Sequence, residues 1–252
     1  MIVWREKFVA ASWHFLVTLF FAACAAALIF WVWFPDPLQT MLGGWKLFGL
    51  VVGCDLILGP LISLVIFNSK KSRRELTMDY SIVAAVQLAA LIYGVSVVAN
   101  ARPIYIVFSA DRLEVITANE IDDADLKAGK EGYRSRPKWG PELIATAVPR
   151  TGEEHNKALF DALAGKDSPL LPRYYAPYES QLDAIQAHAQ PLADLTQHHP
   201  DAIEPLTQAA RKLNTSADQL RWLPAKHKRG FWTALLDAKT LRPVTYLPID
   251  PY

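Results

Sequence analysis

Cysteine is scarce in this chain: its 252 residues include only two, Cys24 and Cys54. Both lie inside long apolar segments, and no cysteine follows Cys54. The second half of the chain must therefore fold without a disulfide, and a cysteine-ligated zinc site is excluded there. Cysteine usage does not decide the compartment of that half.

The chain also lacks an excess of charge of either sign, since it has 26 basic and 25 acidic residues and a net charge of +1. A protein that binds nucleic acid needs a basic face, so we expect no nucleic-acid partner. No two histidines have the His-x-x-x-His spacing of a helical metal site. We therefore expect no metal and no cofactor.

Short catalytic signatures are absent too: the chain has no Gly-x-Ser-x-Gly nucleophile elbow and no glycine-rich phosphate loop. An intramembrane aspartyl protease would need two neighbouring acids. The only other candidate in the predicted helix bundle is Asp79, at the cytoplasmic edge of the third segment. The sequence therefore predicts a protein that is not an enzyme.

Long apolar runs are abundant, and three of them lie at about residues 8–34, 49–67 and 80–99. Each can cross a bilayer as a helix, which takes about 20 residues. Arg5 and Lys7 before the first run resemble the start of a signal peptide. That run stays apolar through Phe34, where a cleaved signal would turn polar, so we expect an uncleaved anchor. The prediction is a membrane domain at 1–102 and a soluble domain at 103–252.

The basic residues between the apolar runs predict the orientation. Lys70, Lys71, Arg73 and Arg74 lie in the short loop 68–79. By the positive-inside rule, this loop and the N-terminus are cytoplasmic. Three crossings then place residues 103–252 on the other side of the membrane.

The second apolar segment carries an acid, Asp55, followed by Gly59 and Pro60. An ionisable residue inside a bilayer is costly and usually faces the interior of a helix bundle. Proline removes a backbone donor and kinks the helix beside this acid. Gly49 and Gly53 have the spacing that lets helices approach closely. In the third segment Gln87 adds a polar group.

Two interpretations of these intramembrane residues stay open. In one, Asp55 and Gln87 only lock the three helices together, with Ser63 as another partner for the acid. In the other, they form a docking site within the membrane, because an intramembrane acid is a functional hypothesis by default.

The soluble half alternates short strand patterns with helix patterns. Strands are predicted at 104–108, 113–117 and 142–148, a helix from Thr151 to Ala164, two further helices, and a closing hairpin from 231–236 to 244–247. This order predicts an α+β domain on an antiparallel sheet. Its expected core includes Ile106, Phe108, Val115, Leu159, Phe231 and Leu235.

Three tyrosines lie close together in the stretch that ends at Tyr178. Tyr174, Tyr175 and Tyr178 offer rigid amphipathic area of the kind that is enriched at interfaces. They are candidates for binding a partner, as is the polar loop 119–139. The alternative is that the tyrosines pack on the sheet.

Four segments resemble the TfpX/TfpZ family of type IV pilin accessory proteins. They are VVGCDLILGPLISLVIF (51–67), QLAALIYG (87–94), RPIYIVFSADRLEVITANE (102–120) and the tail FWTALLDAKTLRPVTYLPIDP. The resemblance covers essentially the whole chain, and residues 122–230 match loosely. The positions that match the motifs are Asp55, Gly59, Pro60, Gln87, Arg102, Pro103, Asp111 and Arg112.

The resemblance implies a multi-pass protein of a bacterial inner membrane, with its C-terminal domain in the periplasm. It further implies that the protein acts as a chaperone-like accessory for the cognate type IV major pilin and supports pilus assembly. Other inner-membrane assembly proteins would be further partners. A mature pilin of this kind has an N-terminal helix in the bilayer that begins with a charged amino group, which Asp55 could pair with. The alternative is a membrane enzyme that modifies the pilin or a lipid-linked sugar.

Overall fold

The computed structural model describes residues 2–66, 71–149 and 151–252, so Phe67 and part of the predicted 68–79 loop, with Lys70, lie outside the described residues. The chain forms two compact units, Met1–Phe34 with Gly43–Ala101, and Pro35–Leu42 with Arg102–Tyr252. The first unit contains α1 (Ile2–Ala27), continued by a π-helix (Leu28–Trp33), α3 (Gly44–Ile66) and α4 (Arg73–Ala101).

The second unit begins with α2 (Leu38–Met41) and resumes after α4. Its later elements are β1 (Pro103–Ser109), β2 (Arg112–Thr117), α5 (Asp123–Lys127), β3 (Glu142–Thr146), α6 (Gly152–Leu163), β4 (Tyr175–Pro177), α7 (Leu182–His188), β5 (Gln190–Pro191), α8 (Leu192–His198), α9 (Ile203–Lys212), β6 (Leu220–His227), β7 (Gly230–Asp237) and β8 (Pro243–Leu247).

The helices of the first unit include three that are long and apolar enough to cross a membrane. Their candidate spans are Arg5–Trp33, Gly44–Ile66 and Arg73–Ala101. Helix α3 packs against both α1 and α4. Pro60 lies inside α3, as the sequence indicated.

The second unit is built on one mixed eight-stranded sheet in the order β4-β3-β1-β2-β6-β7-β8, with β5 beside β6. The prediction of an antiparallel sheet is wrong in part, because β1 pairs with β3 and β2 with β6 in parallel. The strands in these parallel pairs are joined by long connections, because a parallel neighbour requires a crossover rather than a hairpin. The predicted closing hairpin is confirmed, with β7 and β8 antiparallel.

The residues of β1 alternate between the two faces of the sheet, and each face carries a buried cluster of its own. Ile106 and Phe108 face one buried cluster, while Tyr105 and Val107 face another. Four predicted core residues, Ile106, Phe108, Val115 and Leu235, are buried.

Leu159 was predicted in the core and is 52% exposed. The predicted helix forms, with Thr151 as its N-cap accepting a hydrogen bond from the backbone of Glu154. However, α6 is fixed to the domain through a polar residue, Asp161, whose carboxylate accepts from the Tyr174 hydroxyl at 2.6 Å. Its apolar residues Phe160 and Leu163 are therefore exposed together with Leu159.

The loop between the first two long helices is part of the core of the second unit. Leu38 and Met41 in α2 are each 2% exposed and belong to the same cluster as Phe108 and Leu113. On the same segment, Asp36 pairs with Lys212 of α9 at 3.5 Å. The C-terminal domain is therefore completed by eight residues from the N-terminal part of the chain.

Candidate functional site

His14 is the centre of a polar network among the three long helices. Its Nδ1 contacts the hydroxyl of Ser63 on α3 in a very short hydrogen bond. Its Nε2 lies 2.5 Å from Oε1 of Gln87 on α4. Since Oε1 only accepts, the ring carries a proton on Nε2 and donates it to Gln87. One side chain of α1 thus connects both other helices.

Gly59 leaves the space that this network occupies. A Cβ at this position would overlap the amide nitrogen of Gln87 and would also approach His14. Glycine here has a packing reason, because only the absence of a side chain lets α4 place Gln87 against α3.

A cavity of about 180 Å³ opens beside this network. It is lined by His14, Val17, Thr18 and Phe21 of α1, by Asp55 of α3, and by Ala84, Gln87, Leu88 and Leu91 of α4. On α1 and on α4 the lining residues are spaced i, i+3, i+4 and i+7, which is one face of a helix. Two helix faces therefore border a mostly apolar space, and a carboxyl group lies on its wall.

Two polar groups in this cavity have no partner in the part of the chain that the structure describes. The side-chain nitrogen of Gln87 is buried without an acceptor. Asp55 is half-buried, and neither Ser63 nor Gln87 bonds to it, because both bond to His14. A ligand that carries a positive charge or hydrogen-bond donors would satisfy Asp55.

The predicted intramembrane residues fall on different faces of α3. Asp55 follows Gly53 by two residues, which is about 200° around a helix. A Cβ on Gly49 or Gly53 would meet nothing within 4 Å, so this pair faces open space. The structure therefore brings Asp55, Gly59 and Gln87 together around the cavity, and leaves Gly49 and Gly53 on a separate surface.

The sequence alone did not connect His14 to this site, although its side chain organises the site. The signal available was the spacing of His14, Val17, Thr18 and Phe21, a polar and apolar stripe on one helix face. A single stripe does not reveal which helix it faces, so the sequence could not connect His14 to Gln87.

The three candidate tyrosines have different environments in the second unit. Tyr175 and Tyr178 are 0% and 1% exposed, so the alternative that they pack on the sheet describes them. Their hydroxyl groups donate to the carbonyls of Pro169 and Leu241, and burial raises the pKa of both phenols. Tyr174 is partly exposed, next to α6.

Comparison with known proteins identifies relatives of almost the whole chain. The FimB family of fimbrial assembly proteins matches residues 2–43. The fimbrial assembly protein of serogroup I of Dichelobacter nodosus is 32% identical over 241 residues, which cover 95% of this chain and 93% of the relative. The chain belongs to the fimbrial assembly protein family.

A second family member from Dichelobacter nodosus, the fimbrial assembly protein of serogroup E1, is 30% identical over the same shares of both chains. The fimbrial assembly protein of serogroups C1 and C2 is 40% identical over 108 residues, 43% of this chain and 82% of the relative. No solved structure matches. Membership supports a role in pilus assembly, and the three candidate spans fit a membrane protein. The narrower TfpX/TfpZ resemblance stays a prediction.

Proposed function

We propose that this fimbrial assembly protein is a non-enzymatic, chaperone-like accessory of the TfpX/TfpZ type that binds its cognate type IV pilin in the inner membrane. The N-terminus is cytoplasmic and residues 103–252 are periplasmic in this proposal. The cavity between α1 and α4, with Asp55 on its wall, is the observation on which the proposal rests.

The two helix faces that border the cavity suit contact with a third helix. Its two apolar borders each present residues at helical spacing, and Val17, Phe21 and Leu88 would contact an apolar helix. In a bilayer, such helices associate through close packing and through hydrogen bonds between polar groups. In our proposal the pilin helix lies along these two borders, and its side chains enter the cavity.

The carboxyl group of Asp55 gives the site its chemical preference. The resemblance implies that a mature pilin helix begins with a charged amino group. An ammonium group beside Asp55 forms an ion pair shielded from water, and removing either partner strands the other charge. Gln87 lines the same cavity, with its side-chain nitrogen buried in the polar network rather than open to a partner. The separate face with Gly49 and Gly53 is not part of this contact.

A second contact, with the pilin head, belongs to the same proposal. Of the three candidate tyrosines, Tyr174 keeps exposed area, and Asp161 and Arg173 fix its position beside α6. The exposed apolar residues Leu159, Phe160 and Leu163 adjoin it on that helix. In the proposed head contact, this surface takes the place of Tyr175 and Tyr178, because buried side chains cannot contact a partner.

The alternative of a membrane enzyme would draw on the contact between His14 and Ser63, which resembles a base with its nucleophile. Ser63 is only 1% exposed and does not line the cavity, so its hydroxyl is closed to a substrate. In our proposal, Ser63 fixes the orientation of the His14 ring.

An Asp55→Asn variant tests the docking proposal, with a photo-crosslinking residue at Leu88 in the cavity or at Tyr174 in the C-terminal domain. Both positions should capture pilin in cells that carry the wild-type background. Asn keeps the shape of Asp55 and removes its charge, so capture at Leu88 should fall strongly. Asp79→Asn, the same chemical change in a residue paired with Lys71 outside the cavity, is the matched control.

Each outcome of this experiment has a defined meaning. Normal capture at Leu88 by an inserted Asp55→Asn protein would show that the charge plays no part in docking. Absence of pilin at Leu88 in the wild-type background would remove the cavity as the docking site. Capture at Leu88 without capture at Tyr174 would reject the head contact alone.

A further inference from the structure

The loop of residues 134–140, here called the basic loop, has the sequence RSRPKWG and contains three cations and one tryptophan. Trp139 is 74% exposed and Lys138 is also exposed. An exposed tryptophan beside basic residues is the composition of a segment that meets the interface of an anionic membrane. The same residues could serve a protein contact, so position in the fold must decide.

Contacts within the second unit hold the basic loop in one place. The guanidinium of Arg136 donates to the carbonyls of Ala118 and Ile121 and pairs with Asp123 at 2.5 Å. The Tyr105 hydroxyl donates to the carbonyl of Ser135 at 3.3 Å. Trp139 is therefore exposed on a fixed loop that is tied to the first residues of β1.

One of these contacts relates the basic loop to the membrane. Arg102 is the residue directly after α4, the third candidate span, and its Nη2 donates to the carbonyl of Pro137 at 3.0 Å. Pro137 is therefore one arginine side chain away from the residue where the chain leaves that helix. Trp139 is two residues further, and two residues extend over at most about 7 Å.

We propose that the basic loop docks on the lipid headgroups of the membrane that α4 crosses, with Trp139 in the interface and Lys138 beside the phosphates. The indole has an apolar body and a polar N–H, which suits the boundary between headgroups and acyl chains. Arg136 is used inside the domain, whereas Lys138 forms no hydrogen bond or ion pair within the described residues. The proposal rests on α4 being a membrane-spanning helix.

A fluorescent label near Trp139 tests this in the full chain, after Cys24 and Cys54 are replaced by Ala. The label is attached to Ser135→Cys, an exposed position that leaves Trp139 and Lys138 intact. The protein is placed in nanodiscs of phosphatidylethanolamine and phosphatidylglycerol that contain headgroup-nitroxide lipid, which quenches nearby fluorophores. A label at Leu163→Cys is the control, because Leu163 is as exposed as Trp139 and lies on α6. A label at Leu61→Cys in α3, with acyl-chain nitroxide, reports on insertion itself.

We expect the nitroxide lipid to quench the label at 135 more strongly than the label at 163. Trp139→Ala and Lys138→Glu should each reduce this quenching, and omission of phosphatidylglycerol should act like Lys138→Glu. Equal quenching at 135 and 163 would overturn the proposal, as would quenching that neither variant changes. Quenching that depends on added pilin would assign the loop to a protein partner. Failure of the Leu61 label to respond would instead reject the spanning helices, so the two failures can be told apart.

Discussion

Gly59 is the residue at which a single methyl group should have the largest effect on the membrane unit. Gly59→Ala places a Cβ against the Gln87 amide and beside His14, so the polar network must move. Because the clash is with the far end of the flexible Gln87 side chain and not with backbone, the cost should be at the low end of the range for overpacking, about 1 kcal/mol. Gly53→Ala is the matched control on the same helix, since nothing lies within 4 Å of its Cβ. In detergent, the apparent unfolding temperature should fall for Gly59→Ala and stay unchanged for Gly53→Ala; equal values would show that the gap at Gly59 is not needed.

His227 should make the C-terminal domain sensitive to mild acid. The ring is 8% exposed, lies against Trp232, and accepts a hydrogen bond at Nδ1 from the Arg229 backbone. Burial, and then the charge of Arg229, lowers the pKa of His227 below 6.5. The unfolded chain therefore binds the proton more readily than the folded chain, and stability is lost as pH falls through and below about 6.5.

This His227 prediction is checked by unfolding the protein at a series of pH values. His227→Gln stays neutral, so its stability should decline less between about pH 7 and pH 5 than that of the wild type. Parallel declines in both proteins would assign the acid sensitivity to other groups.

At the scale of the residue, the sequence indicated which residues are important better than it predicted the contacts that these residues make. Asp55 and Gln87 stand out because polar groups are rare in apolar segments, and both line the cavity. The tyrosines stand out for the same reason, yet two of them are buried with their hydroxyl groups bonded to carbonyls. Composition indicates that such residues matter, while the choice between core and surface depends on neighbours that are distant in the chain.

Among the elements, the short helix α2 carries the clearest test of how the C-terminal domain is completed. Leu38 is 2% exposed in the main core of that domain, so Leu38→Ala should cost about 2–5 kcal/mol. Thr40→Ala, on the exposed side of the same helix, is the control. Protease resistance of the C-terminal domain in the full chain should drop for Leu38→Ala only. Unchanged resistance would mean that the domain does not need α2.

The elements that the sequence predicted are those with local signals. The hydrophobic runs mark the long helices, Thr151 and Gly165 mark the ends of α6, and the turn at 237–242 marks the hairpin. Strand β6 was missed because Pro224 interrupts its pattern, and proline within a run argues against a central strand. It is nevertheless paired with β7 on one side and β2 on the other. The parallel pairings join distant segments, so no local pattern predicts them.

For the whole molecule, the sequence separated an apolar first part from a mixed second part, because average composition changes at about residue 102. It did not predict that Pro35–Leu42 joins the second unit. These residues include two prolines and precede Gly43 and Gly44, which is the composition of a turn, and their apolar residues Leu38, Met41 and Leu42 pack in or against the core. Three apolar residues in a short loop carry too little pattern to reveal where the loop packs.

The position of Leu38 and Met41 also sets an order of events during synthesis. A chain is made from its N-terminus, so α2 is complete before α3, α4 or any strand exists. The core partners Leu241 and Tyr246 are made only after β7. The earliest piece of the C-terminal domain must therefore wait for its latest piece, held at both ends by α1 and α3. The domain cannot finish folding until Tyr246 in β8 has been translated.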